Sequence, residues 1–132
     1  MAMSRIRPFE SASFTVVMHP DGRSEVKKAV WGPEPRIDGF MAMAPLLTRN
    51  PPHAGEMHPG GDELIFLISG RLDIIAEESG GETVTPMEAG QAVVIPKGVW
   101  HRLDIKEPCQ LVVMTPGPES EHRPLPAAPS PS

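Results

Sequence analysis

The sequence predicts an all-β domain, either a sandwich or a closed barrel. Short apolar and β-branched segments recur along the chain, with turn signals between them at intervals of about ten residues. No stretch sustains the three-to-four-residue period of an amphipathic helix. The length, 132 residues, suits one domain, and a compact fold of this size needs no disulfide or metal staple.

The elements follow in order. Residues 1–12 read as an irregular lead-in, 13–118 as the β domain and 119–132 as a Pro/Ser-rich tail. Ser13 to Met18 is a first strand, ended by the turn His19-Pro20-Asp21-Gly22. Ser24 to Trp31 is a second strand, whose two lysines suit an exposed edge. Gly32-Pro33-Glu34-Pro35 is a connector. Ile37 to Leu47 reads as a buried strand kinked near Gly39 or Pro45. The loop Thr48 to Pro52 follows. Glu63 to Ile68 is an apolar strand closed by Ser69-Gly70, and Arg71 to Ala76 is expected to fold back on it as a hairpin. Thr83 to Glu88 leads through Gly90 into another hairpin with Ala92 to Ile95. His101 to Ile105 and Gln110 to Met114 complete the strands. From Thr115 onward prolines and serines dominate, and residues 124–132 are expected to be a flexible tail, with 116–123 laid against the domain.

Composition excludes several function classes. The formal charge is −5 with both signs interspersed, whereas nucleic acid and anionic membranes attract clustered Lys and Arg. Cys109 is the single cysteine, so no intrachain disulfide forms and a reducing, cytoplasmic setting is expected. Basic residues in 1–10 are not followed by an apolar segment of the kind a secretory signal carries. No apolar run approaches the roughly 20 residues of a membrane span. Nucleophile-elbow, phosphate-loop and CxxC patterns are absent from the sequence.

Two stretches carry the chemistry. In Gly55-Glu56-Met57-His58-Pro59-Gly60-Gly61-Asp62-Glu63, Glu56 and His58 are two apart, so a strand points them to one side. Pro59-Gly60-Gly61 is a turn signal, and Glu63 opens the next strand. Gly90-Gln91-Ala92-Val93-Val94-Ile95-Pro96-Lys97-Gly98-Val99-Trp100-His101 is a strand stopped by proline, a glycine turn, and a new strand entered through histidine.

These stretches resemble the paired motifs of the cupin superfamily. In the first motif His58, Glu63 and Gly70 match, and Glu56 stands where the family has its first histidine. In the second motif Gly90, Pro96, Gly98 and His101 match every spacing, while Ile105 replaces a frequent asparagine. The resemblance implies a jelly-roll barrel whose mouth holds a divalent metal on His58, Glu63 and His101, and it implies a homodimer. Two imidazoles and a carboxylate are similar to the facial set of non-haem iron enzymes. Glu56 is either a fourth ligand or a general base. A carboxylate in place of a histidine hardens the set towards Fe(II), Mn(II), Ni(II) or Zn(II). Two functions remain open: a metal-dependent enzyme acting on a small polar chelating metabolite by dioxygenation, isomerisation or decarboxylation, or a non-catalytic module that binds a small ligand, with or without metal. His19, His53 and His122 read as surface or satisfied histidines, Asp62 as a solvent-facing turn residue, Trp100 as packing on the outer sheet or a subunit partner and Cys109 as a small buried hydrophobe.

Overall fold

The computed structural model describes residues 4–30, 36–117 and 119–126. Among them there is no helix, and ten strands form a curled, wholly antiparallel sheet. The strands are β1 (Phe14–Met18), β2 (Ser24–Lys28), β3 (Phe40–Met43), β4 (Leu46–Leu47) and β5 (Gly55–Met57). Then follow β6 (Glu63–Glu78), β7 (Gly81–Glu88), β8 (Ala92–Ile95), β9 (His101–Pro116) and β10 (Glu121–Arg123). Residue 31, where the second strand was expected to end, the connector 32–35, and residues 127–132 of the expected tail lie outside the described residues.

Two 16-residue strands, β6 and β9, are the spine. They pair from Leu64↔Met114 to Ala76↔His101. On its other edge β6 takes β8 against its first half and β7 against its second. On its other edge β9 takes β5, β4 and β3, and the path continues from β3 through β1 to β2. The expected kink at Pro45 is the break between β3 and β4.

Three expectations differ. Arg71 to Ala76 do not fold back as a hairpin; they continue β6 past Ser69-Gly70 through a bulge, where the register on β9 shifts between Leu67 and Leu72. The bulge inverts the alternation: Ile65 and Leu67 point into the core before it, Leu72 and Ile74 after it. Gly70 has φ +83°, and a Cβ there would overlap the Pro108 carbonyl and Cys109. A glycine here therefore bends a strand rather than ending it. Likewise Gly90 joins β7 to β8 without pairing them, since both lie along β6. At the C-terminal end, the sheet runs beyond the expected limit at 118, because β10 pairs with β5.

Ile65, Leu67, Leu72, Ile74, Met87, Ile95, Leu103, Cys109 and Leu111 form one core with Leu47. Complete burial of such a side chain is worth about 2 kcal/mol, so this cluster holds the two spine strands together.

Gly70→Ala should lower stability by roughly 2–4 kcal/mol, because it adds a strained φ to a backbone overlap. Gly80→Ala, with φ +92° but open space around it, should cost only about 1 kcal/mol. Urea unfolding of the two variants compares them directly.

Candidate functional site

Four side chains meet at one end of the sheet. Glu56 comes from β5, His58 from just after it, Glu63 opens β6 and His101 opens β9. Glu56 and His101 are direct cross-strand partners. The turns that follow His58 and precede Val99 are bound to each other: Gly98 N–H donates to the His58 carbonyl (3.1 Å), and Lys97 N–H donates to Asp62 Oδ1 (2.8 Å). Asp62 is exposed in the turn, as expected, and also ties the two motifs together. Gly60 lies so close to the Pro116 carbonyl that a Cβ would come within 2.9 Å of it. The turn therefore packs straight onto the end of β9.

The four groups each offer an atom within 4.8 Å of the others. His58 Nε2 is 2.8 Å from Glu63 Oε2, and His101 Nε2 is 3.1 Å from Glu63 Oε1. Glu56 Oε1 is 3.5 Å from His101 Nε2 and 3.8 Å from His58 Nε2. Thr115 Oγ1 donates to Glu63 Oε2 (2.8 Å). Glu63 and His101 are each 2% exposed and His58 5%.

The outer nitrogens of both imidazoles are held. His101 Nδ1 lies 3.0 Å from the Val99 carbonyl, which only accepts. The proton therefore sits on Nδ1, and in the neutral ring the Nε2 lone pair faces the centre. His58 Nδ1 lies 2.7 Å from Ser120 Oγ. His58 Nε2 is buried, and although Glu63 is close, it makes no hydrogen bond. An inward nitrogen without a hydrogen bond, on a ring anchored through its other nitrogen, is the arrangement seen around metal-ligating histidines. The donor set fits a divalent ion.

Charge within the metal-free cluster is coupled. Burial works against the protonated rings, but Glu56 and Glu63 outweigh it and raise His58 to about 9 and His101 to about 10. Burial likewise opposes ionisation of the carboxylates. The neighbouring His101, His122 and His58 rings overcome it at Glu56, and the His101 and His58 rings overcome it at Glu63, so both are held below the usual carboxylate range. Two carboxylates then face two imidazolium rings. An ion enters only by displacing both ring protons.

A second layer was not legible in the sequence. His122 Nε2 is 3.2 Å and His53 Nε2 3.7 Å from Glu56 Oε2, and the two rings meet edge to face at 5.2 Å. Both histidines, read as surface or satisfied residues, belong to the site. Gly55 N–H donates to His53 Nδ1 (3.1 Å), so the neutral ring carries its proton on Nε2, directed at Glu56. Burial, only partly offset by Glu56, lowers the pKa of His53 and keeps that ring neutral. Ser120 and His122 lie in the segment read as the tail. Arg123 stacks 3.9 Å over Trp100 and donates to both Glu77 carboxylate oxygens (2.7 Å). These bonds fasten β10 beside the site. Trp100, expected to pack on the outer sheet or a subunit partner, is one of its anchors.

The cupin domain family (Cupin_2) matches residues 41–115, more than half of the chain, and the chain belongs to that family. Among curated proteins no sequence match is found. Of the solved structures, a cupin-2 domain containing protein from Shewanella frigidimarina NCIMB 400 is 23% identical, with 67% of this chain and 83% of that chain covered and a TM-score of 0.51. Oxalate decarboxylase from Bacillus subtilis is 12% identical (63% and 23% covered, TM-score 0.54). Streptomyces albus HEPD, with 2-hydroxyethylphosphonate and Fe(II) bound, is 14% identical (60% and 18% covered, TM-score 0.50). These likenesses establish the fold. The chain spans about a fifth of the length of the last two.

The pH dependence of the metal-free protein has a defined sign. Histidines raised from 6.5 to about 9 and 10 contribute stability that is complete below pH 6.5 and is lost as pH rises to those values. The lowered carboxylates contribute above pH 4.5 and lose it as pH falls. Thermal melts of EDTA-treated protein should therefore decline from pH 6.5 to pH 10 by more than roughly 4 °C, the equivalent of about 1 kcal/mol. A flat profile over that range would show that the rings are not paired with the carboxylates.

Proposed function

We propose that the protein is a small metal-dependent enzyme acting on a chelating metabolite. His58, Glu63 and His101 would hold the ion, with Glu56 Oε1 as a further ligand. The observation that carries this reading is the buried His58 Nε2, which makes no hydrogen bond and points at a centre shared with a second imidazole and two carboxylates. Oxygen and nitrogen donors of this hardness suit Fe(II), Mn(II), Ni(II) or Zn(II). When bound, such an ion supplies Lewis acidity, or redox chemistry if it is iron or manganese.

The chain's own groups divide the remaining work. Thr115 and Val99 hold Glu63 and His101 in position. Glu56 faces the centre with Oε1 and the His53–His122 pair with Oε2. In the alternative role, with Oε1 off the metal, Glu56 is the group within the cavity placed to accept a proton from a bound substrate, and His122 is placed to pass that proton outward. Such a base is compatible with dioxygenation, isomerisation or decarboxylation. A homodimer and a cytoplasmic setting belong to the same reading. The exposed edge strand β2 and the single buried Cys109 support them.

The second reading, a binding module without metal, draws on a different observation: two imidazolium rings and two carboxylates balance one another without an ion.

His58→Gln and His101→Gln keep a donor near Glu63 but remove the imidazole. Each should lose at least roughly 90% of bound metal by elemental analysis, since one ligand in three or four is gone, while circular dichroism stays that of a folded sheet. Wild-type protein that carries no metal, and whose melting is unchanged by added Mn(II), Fe(II), Ni(II) or Zn(II), would favour the module.

A further inference from the structure

The cavity beside the four side chains has a volume of about 420 Å³, within the range of sites that enclose a small organic molecule. Its polar groups are gathered at one end, where Glu56, His58, Glu63, His53, His122 and Ser120 lie. The rest of the lining is largely hydrocarbon and thioether: Phe14 from β1, Met41 and Met43 from β3, Leu47 from β4, and Leu111 and Val113 from β9, with Met41 paired across the strands to Thr115 beside the polar groups. Met41 and Met43 alternate on one strand and so present one continuous surface. Methionine surfaces adapt to apolar ligands of irregular shape.

Arg123 is the one lysine or arginine among the described residues that line the cavity. Its guanidinium is already engaged by Glu77 and Trp100. A carboxylate placed away from the metal end would therefore meet no available cation. An unpaired charge moved into such surroundings costs several kcal/mol.

We infer that the ligand is a neutral molecule with an apolar body and two adjacent oxygens at one end. The oxygens face the His58–Glu63–His101 centre and the body lies against the Met41–Met43 wall. The small polar metabolite suggested by sequence thus becomes a molecule polar only at its head. The role of the head rests on the metal-dependent reading proposed above; the role of the body does not.

Calorimetric titration of naphthalene-2,3-diol, catechol and oxalate tests this with Zn(II)-loaded and with EDTA-treated protein. The diol and catechol share a chelating head and differ by one fused ring. The diol should bind about tenfold or more tighter than catechol in both forms, from apolar burial alone. Oxalate should bind more weakly than the diol in both. Met41→Gln/Met43→Gln, which preserves side-chain length, should shrink the diol-to-catechol ratio to about threefold or less while metal content is unchanged. Equal affinities for diol and catechol, oxalate binding as tightly as the diol, or no diol binding at millimolar concentration would each overturn the inference. If the ratio holds but Zn(II) leaves every affinity unaltered, the apolar-body assignment stands and the metal reading falls.

Discussion

A carboxylate at the start of an apolar strand constrains the whole mouth of this domain. Glu63 is buried where an unpaired charge costs several kcal/mol, so its two oxygens need partners that the apolar residues following it in β6, Leu64 to Ile68, cannot supply. They come from elsewhere: His58 from across the turn, His101 from the start of β9, and Thr115 from the far end of that same strand. Because β9 contributes at both ends, its path along β6 is tied to the needs of one side chain. The bonds from Gly98 to His58 and from Lys97 to Asp62 lock the two turns into the same arrangement.

Placing Glu56 where the family's first motif has a histidine changes the chemistry of the centre. A histidine would offer the centre one nitrogen and turn the other away. A carboxylate offers two equivalent oxygens, and here they serve different neighbours: Oε1 the inner imidazoles, Oε2 His122 and His53. The site becomes more negative and gains a hydrogen-bonded link to its rim. That link depends on β10, which is held to β5 by backbone pairing and by Arg123 between Glu77 and Trp100. The cavity has the same division of labour. Its donors cluster where β5, β6 and β9 begin, while β1, β3 and β4 contribute apolar side chains. On β9 the two sets meet: Leu111 and Val113 line the cavity beside Thr115.

The sequence alone determined that this chain is all β, since its apolar residues follow no helical period. Its resemblance to the paired cupin motifs also singled out Glu56, His58, Glu63 and His101, which the structure brings together. Their spacing is local except for one long jump, and the turn residues Pro59-Gly60-Gly61 and Pro96-Lys97-Gly98 mark both ends of the jump. Gly70 was visible but ambiguous, because a glycine with positive φ serves a turn and a bulge equally well. The packing of Pro108 and Cys109 against it decides for the bulge. His122 and Ser120 could not be read, because their place in the site depends on a three-residue strand set in a proline-rich segment, whose composition resembles a loose tail. Only the tertiary structure decided that β10 returns to pair with β5, and so which polar groups surround Glu56. Pairing between short, distant strands is governed by the backbone hydrogen bonds and burial available in the assembled sheet, and one-dimensional spacing carries no record of either.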